Sequence, residues 1–324
     1  MNSIKNFLIT YIVSFVVFGI VAGVILWKVI PEKTQETNTP TINLPDNKNV
    51  QNGQIGSDVN SEKEDGDSFN ALLCCYDDDT QRADAIVLLN ADKAGKSFTL
   101  CAIPSYLKIN TGTESVKKNV YLGDIPIEYG REYFLKKVEA ITGVSVDFYA
   151  FISTKDFSGI IDELGGVEFN VPQNMYYENH KGDVLVDLKA GKQKLSGKKA
   201  LELVRYRSYS GISQNDDGDA KRRATQCEFV YTIFESFLKE ENKDKIGVVV
   251  SNALKLIKDG ETNFTTTALA IHLDTILKFS EYEHKIIDYP VKSTEITSHE
   301  TGEKLAVHTP DTDEAIKSVF VKFR

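Results

Sequence analysis

Phe148-Tyr149-Ala150-Phe151-Ile152 is followed by Thr154 to Leu164, then by Gly165-Gly166, then by Val167-Glu168-Phe169-Asn170-Val171-Pro172. The first run is apolar and of strand length. The second reads as a helix, and Gly165-Gly166 stop it as a glycine C-cap. The third is a strand ended by Pro172. The same alternation continues in both directions. Upstream, Asn70 to Tyr76, Ala85 to Asn90 and Ser97 to Ile103 read as strands, with Asp92 to Lys96 as the turn between the last two. Pro126 to Ile141 has helical spacing, with Ile127, Phe134, Leu135, Val138 and Ile141 apolar. Downstream, Ala190-Gly191 is a turn, and Ser196 is the N-cap of a helix running to Leu203. Asp219 to Leu238 is a long amphipathic helix with Phe229, Val230, Ile233, Phe234 and Phe237 on its apolar side. Ile246 to Ile257 and Thr265 to Phe279 are further helices, a helical tail that packs the sheet. Strands interleaved with helices predict an α/β domain over residues 68–324, a layered α-β-α sandwich around a central mixed, partly parallel sheet.

The chain has 324 residues, 41% of them hydrophobic, and a formal net charge of −9. That length suits one large domain or two small ones. The acidic balance implies no basic face and argues against nucleic acid as a partner. Cys74, Cys75, Cys101 and Cys227 have no metal spacing. Adjacent Cys74 and Cys75 face opposite sides of a strand, so buried free thiols are expected. The five histidines form no zinc or triad pattern.

Phe7 to Trp27 is uncharged and rich in Ile, Val, Phe and Leu. Its length matches a bilayer core, and it is too long for a signal-peptide apolar region. Residues 1–30 are therefore expected to be a short cytoplasmic tail and a single-pass transmembrane helix, with the body exported. Residues 31–67 hold Pro31, Pro40 and Pro45, eight acidic residues against three lysines, and no aromatic residue. Such a composition predicts a disordered acidic linker.

Leu203-Val204-Arg205-Tyr206-Arg207, with Asp219-Ala220-Lys221-Arg222-Arg223-Ala224-Thr225-Gln226 a dozen residues on, concentrates positive charge in an acidic protein. On an extended segment Arg205 and Arg207 point to the same side. Planar guanidinium forks suit a phosphate or pyrophosphate. A solvated charge run capping the following helix is the plainer reading; the anion site is favoured because its sign opposes the balance of the chain.

In this order and spacing the motifs resemble the LytR-CpsA-Psr family. Asn70 to Asp77 resembles the family's opening strand, which ends Gly-x-Asp. Arg82-Ala83-Asp84 resembles its Arg-x-Asp-Thr step, and Ala102-Ile103-Pro104 the start of its Ser-Ile-Pro-Arg-Asp motif. Leu164 to Val167, Ala190 to Gly197, Ala200-Leu201, Arg205-Tyr206-Arg207 and the Asp219, Arg222, Gln226 spacing are close to further signatures.

The resemblance implies a transferase on the outer face of a Gram-positive-type cell membrane. It would move a glycopolymer, such as teichoic acid or capsule, from a polyprenyl-pyrophosphate carrier onto peptidoglycan, leaving a phosphodiester, with pyrophosphatase action as a side activity. It implies Mg2+ (or Mn2+) held by Asp77 and Asp84, a pyrophosphate held by Arg82, Arg205, Arg207, Arg222 and Gln226, and an apolar tunnel for the lipid. Asp84, Arg82 and Asp219 are the expected catalytic residues, Asp219 either orienting an arginine or taking the hydroxyl's proton. Each has a structural alternative: Asp77 as a turn residue within Asp77-Asp78-Asp79, Asp84 as a strand-edge cap, Arg222 as the partner of Asp219 one turn away. The chain departs from the pattern at Cys75 for glycine, Ala85 for threonine, Ser105-Tyr106 for arginine-aspartate and Thr225 for arginine. Lys108, Lys118, Arg131 and Arg223 are the cations at hand to compensate. The departures favour a second reading, a polyprenyl-pyrophosphate- or glycan-binding envelope protein that regulates or scaffolds without turnover.

Overall fold

A computed structural model describes residues 68–112, 118–179, 181–207, 217–239, 246–297 and 304–323. All lie within the unit Ser61–Arg324. The expected membrane anchor (1–30) and linker (31–67) lie outside the described residues, among which no helix is long and apolar enough to cross a membrane. In chain order the elements begin with β1 (Ser68–Tyr76), β2 (Ala83–Asp92), β3 (Ser97–Ala102), β4 (Lys108–Asn110), β5 (Asn119–Tyr121), α1 (Ile125–Tyr129), α2 (Arg131–Thr142) and β6 (Phe148–Ser153). They continue with α3 (Thr154–Glu163), β7 (Val167–Val171), β8 (Met175–Glu178), β9 (Val184–Leu188), β10 (Gly191–Leu195), α4 (Gly197–Arg205) and α5 (Asp217–Leu238). The last are α6 (Ile246–Lys258), α7 (Thr266–Leu277), β11 (Glu283–Asp288), β12 (Val291–Thr297), β13 (Lys304–Pro310) and α8 (Asp313–Val319).

The central sheet has the order β11-β3-β2-β1-β6. β1, β2 and β3 form an antiparallel meander, while β6 pairs with β1, and β11 with β3, in parallel. The sheet is mixed, as the alternation of strands and helices predicts. Both its faces are covered. On β1, Leu72 and Cys74 point into a core with Phe134 and Val138 of α2 and Ile316 of α8. Phe69 points into the opposite core, which Cys227, Val230 and Phe234 of α5 close. Burial of each large apolar side chain stabilises the layers by about 1.5–3 kcal/mol. A third core joins α3, α4 and α5 to the small β7–β10 sheet. Where α3 meets α4, a Cβ on Gly197 would fall 2.1 Å from the Ser158 carbonyl oxygen, so only glycine permits the approach. Ser196 caps α4, its side chain accepting from the Lys199 N–H.

Three expectations are corrected. The helix expected over Pro126 to Ile141 is two helices, because Gly130 at φ 84° turns the chain between α1 and α2. The tail after Leu238 is not only helical: β11 is a full member of the central sheet, and β12 and β13 form a hairpin. Arg205 does not lie on an extended segment, since α4 runs two residues past Leu203 and ends on it. All four cysteines are free thiols, and Cys74, Cys101 and Cys227 are buried, as expected.

Candidate functional site

The site begins at the tight connection between β1 and β2. The Asp77 N–H donates to the Arg82 carbonyl (2.9 Å), and Asp77 Oδ1 accepts from the Thr80 N–H (2.9 Å) and hydroxyl (3.0 Å). These bonds hold the Asp77 carboxyl below the ordinary carboxylate range, the Thr80 N–H contributing most. Its second oxygen, Oδ2, accepts from Arg205 Nη2 at 2.5 Å. The same nitrogen lies 3.4 Å from Asp84 Oδ2. Asp77, Asp84 and Arg205 therefore converge. Asp78 does something else: its Oδ2 takes the Thr154 hydroxyl (2.7 Å) and the Lys155 N–H (2.8 Å), which fastens the start of α3.

Asp84 titrates above the ordinary aspartate range. Burial is the main cause; Arg205 opposes it and the Asp77 charge reinforces it. Arg82 pairs with Asp124 at 2.8 Å, and its guanidinium carbon sits 4.2 Å from the Tyr106 ring centre. Tyr121 stands edge-on to Tyr106 at 6.0 Å. The Arg222 guanidinium carbon is 5.9 Å from the same Tyr106 ring. Tyr106 thus gives both cations an aromatic partner where the family motif has aspartate. Gly123 makes this possible, because a Cβ there would fall 2.6 Å from the Ala83 carbonyl oxygen and 3.3 Å from Arg82 Nε.

On α5, Asp219 is 1% exposed and grips two arginines, Arg222 at 2.6 Å and Arg223. Burial alone would raise its pKa. The charges of Arg222, Arg223 and Arg207 outweigh that and hold it below the ordinary range. Arg223 also reaches Asp288 at the end of β11, 3.3 Å away. Gln226 is 5% exposed and donates to the Val204 carbonyl (3.0 Å), one residue before Arg205. That bond holds the end of α4 next to Arg205.

The structure thus brings Asp77, Asp84 and Arg205 together, and sets Arg82 and Arg222 around Tyr106. Arg207, two residues past the end of α4, is near enough for its charge to act on Asp219. Three of the cations expected to compensate are committed elsewhere: Lys118 to Glu128 (3.0 Å), Arg131 to Glu261 (2.5 Å), and Arg223 to Asp219 and Asp288. Asp124, Tyr121 and Asp288 escaped the sequence reading. Asp124 precedes Ile125-Pro126 like an N-cap, yet its side chain caps nothing and turns to Arg82.

Two features suit an oxyanion ligand. Arg82 Nε and Nη2, Arg222 Nε and the Ser105 hydroxyl are buried with no hydrogen-bond partner. Buried donors left in this state cost free energy, and phosphate oxygens would satisfy them. Asp77 and Asp84 supply hard oxygen donors, and burial rather than any want of nearby cations is what raises the pKa of Asp84. Two carboxylates suit Mg2+, which keeps several waters and is completed by substrate phosphates. No group of three or more His, Cys, Asp or Glu side chains forms a metal cluster among the described residues.

The family model described as LytR_cpsA_psr matches residues 31–317. The chain belongs to the LytR-CpsA-Psr family. TagU of Oceanobacillus iheyensis, a polyisoprenyl-teichoic acid–peptidoglycan teichoic acid transferase, is 24% identical over 259 residues, covering 75% of this chain and 79% of TagU. TagV of Bacillus subtilis, which bears the same enzyme name, is 22% identical over 190 residues, covering 57% of this chain and 46% of TagV. The chain therefore spans less than half the length of TagV. The crystal structure of Bacillus subtilis TagV superposes with a TM-score of 0.61 at 18% identity, over 80% of this chain and 96% of that one. A structure of TagT with bound octaprenyl pyrophosphate lipid gives 0.53 at 17% identity, over 80% and 90%. These likenesses establish the shared mixed α/β fold.

Proposed function

We propose that this LytR-CpsA-Psr protein is a single-pass membrane-anchored transferase with an extracellular catalytic domain, moving a glycopolymer from a polyprenyl-pyrophosphate carrier to peptidoglycan. The observation that carries the reading is the set of unpartnered donors on Arg82, Arg222 and Ser105, next to an arginine shared by two carboxylates. The acceptor hydroxyl attacks the phosphorus attached to the sugar. The bridging P–O bond breaks, polyprenyl phosphate leaves, and a phosphodiester joins glycan to acceptor. Arg82 and Arg222 bind the phosphate oxygens and take up charge as the bond breaks. Arg205, poised on Asp77, orients the second phosphate. Of the two candidate bases, Asp84 has the raised pKa and partial exposure, whereas Asp219 has a lowered pKa and both oxygens on arginines. Asp84 therefore takes the hydroxyl's proton, at Oδ1, and Asp219 orients Arg222. Mg2+ (or Mn2+), held by Asp77 and Asp84, would neutralise phosphate charge when bound. Water in place of the acceptor hydroxyl would give pyrophosphatase action.

Ser105 and Tyr106 support a second reading, a carrier-binding protein without turnover, because two charges of the family motif are replaced by a buried hydroxyl and an aromatic ring. The test is the full-length chain in detergent micelles with a short polyprenyl-pyrophosphate glycan, an acceptor muropeptide and Mg2+. Transfer should fall by on the order of 100-fold in Arg205→Ala and in Asp84→Ala. Tight binding without transfer in the unmodified chain would establish the second reading instead.

A further inference from the structure

Beside the arginine cluster, a groove of about 720 Å³ runs between α5 and the β7–β10 sheet. Arg222 and Tyr206 line it near the start of α5, so it opens directly from the candidate diphosphate site. Along the helix its wall is Lys221, Thr225, Glu228, Thr232, Glu235 and Lys239. Steps of four and three keep these residues on one helix face over roughly 27 Å. Such a stripe would be apolar if it packed on protein. Here, apart from Ala224 beside it, it is polar. The facing wall mixes Asn170 and Gln173 with Phe169, Pro172 and Met175.

We propose that this groove binds the glycan joined to the diphosphate, and that it selects a non-anionic glycan, built of neutral or amino-bearing sugars. The proposal rests on the arginine cluster as the diphosphate site, which fixes where the glycan begins. Amides, carboxylates and hydroxyls present both donors and acceptors to sugar hydroxyls, while the apolar faces take sugar C–H groups. Thr225 and Thr232 give their hydroxyl protons to the carbonyls of Lys221 (2.9 Å) and Glu228 (2.8 Å), which leaves their oxygens only an acceptor's role toward a ligand. A lipid tail suits the groove badly, since hydrocarbon would strip water from Glu228 and Glu235 without replacing it. Charge sets the selectivity. Lys221 and Arg222 stand at the diphosphate end and Lys239 at the far end, while from Thr225 to Glu235 the helix offers two carboxylates and no cation. On the facing wall Lys192 is paired with Glu168 at 3.1 Å. A phosphate on the sugars at mid-groove would meet Glu228 or Glu235, and a protonated amine would be attracted there.

The test titrates the full-length chain in detergent micelles with N-acetylchitotetraose, chitotetraose and a glycerol-phosphate tetramer, by calorimetry. Both sugars should bind, and the glycerol-phosphate tetramer should bind at least about tenfold more weakly. Thr232→Trp, which fills the groove, should weaken the sugars by about tenfold or more with an unchanged thermal midpoint. Glu228→Gln with Glu235→Gln should bring the anionic tetramer level with the neutral one. Failure of both sugars to bind, indifference to Thr232→Trp, or equal affinity for the anionic tetramer in the unmodified chain would each overturn the proposal. Farnesyl pyrophosphate, titrated in parallel with Arg205→Ala as control, reports on the arginine cluster alone. Sugar binding that depends on Thr232 without any farnesyl pyrophosphate binding would remove the diphosphate reading and leave the groove standing. The reverse pattern would remove the groove alone.

Discussion

Asp84 and Asp219 are both carboxylates among arginines, and their surroundings drive them in opposite directions. An unfolded aspartate titrates at about 3.9. In the fold Asp84 keeps its proton to higher pH, mainly because it is buried. Its ionisation therefore opposes folding, starting as the pH climbs past the unfolded value and in full above the folded one. Asp84→Asn should raise the thermal midpoint at neutral pH, and the gain should vanish in acid; a gain that persists in acid would contradict this. Asp219 has the reverse sign. Its folded pKa is depressed, so its contribution is present above the unfolded value and is lost as the pH falls through the folded one. Asp219→Asn leaves Arg222 and Arg223 without their shared counter-charge and should cost about 3–5 kcal/mol, read from the urea midpoint at neutral pH. The residues of this site were legible in the sequence as motif positions. Their partnerships were not, because Arg205 reaches Asp77 across 128 positions and only the fold brings them together.

At the scale of elements, the end of α4 matters most. Arg205 is its last residue, and Gln226 of α5 ties down the Val204 carbonyl just before it. Gln226→Ala should cost about 1 kcal/mol of stability, one buried hydrogen bond. It should also weaken farnesyl pyrophosphate binding, and that second loss should disappear in an Arg205→Ala background. Additive losses in the double variant would mean that Gln226 acts independently of Arg205. The sequence announced α4 and α5 clearly, through Ser196 and through the aromatic stripe of α5. It hid β11, whose Glu283-His284-Lys285 half is polar and carries no alternation. Such a strand takes its identity from the β3 edge it completes. The break at Gly130 was hidden for a related reason, since the apolar spacing continues on both sides of it.

At the largest scale, stability among the described residues comes from three cores and a sheet covered on both faces, and the four cysteines form no covalent bridge. Burial pushes the Cys75 and Cys227 thiols up to about 12, and Cys74 and Cys101 higher than their ordinary value as well. The thiolate is the reactive form. At neutral pH an aromatic disulfide reagent should leave the four cysteines of the folded protein nearly untouched and label all of them in urea. A reducing agent should leave the thermal midpoint unchanged. Rapid labelling without denaturant, or a midpoint that falls on reduction, would show that this account of the core is wrong.

Asn70, near the start of β1, donates its side-chain amide to the carbonyl of Phe323 and accepts another from Asn90. The first strand of the domain is thus fastened to almost its last residue, and β3 meets its parallel neighbour β11 only after some 180 further residues have been made. A ribosome working from the amino end delivers the meander early and its closing pieces late. Throughout that interval one side of β3 offers bare peptide groups to any strand nearby. Premature stop codons anywhere before Glu283 should therefore yield aggregates rather than smaller working domains, and the nascent chain should depend on chaperones until β11 emerges.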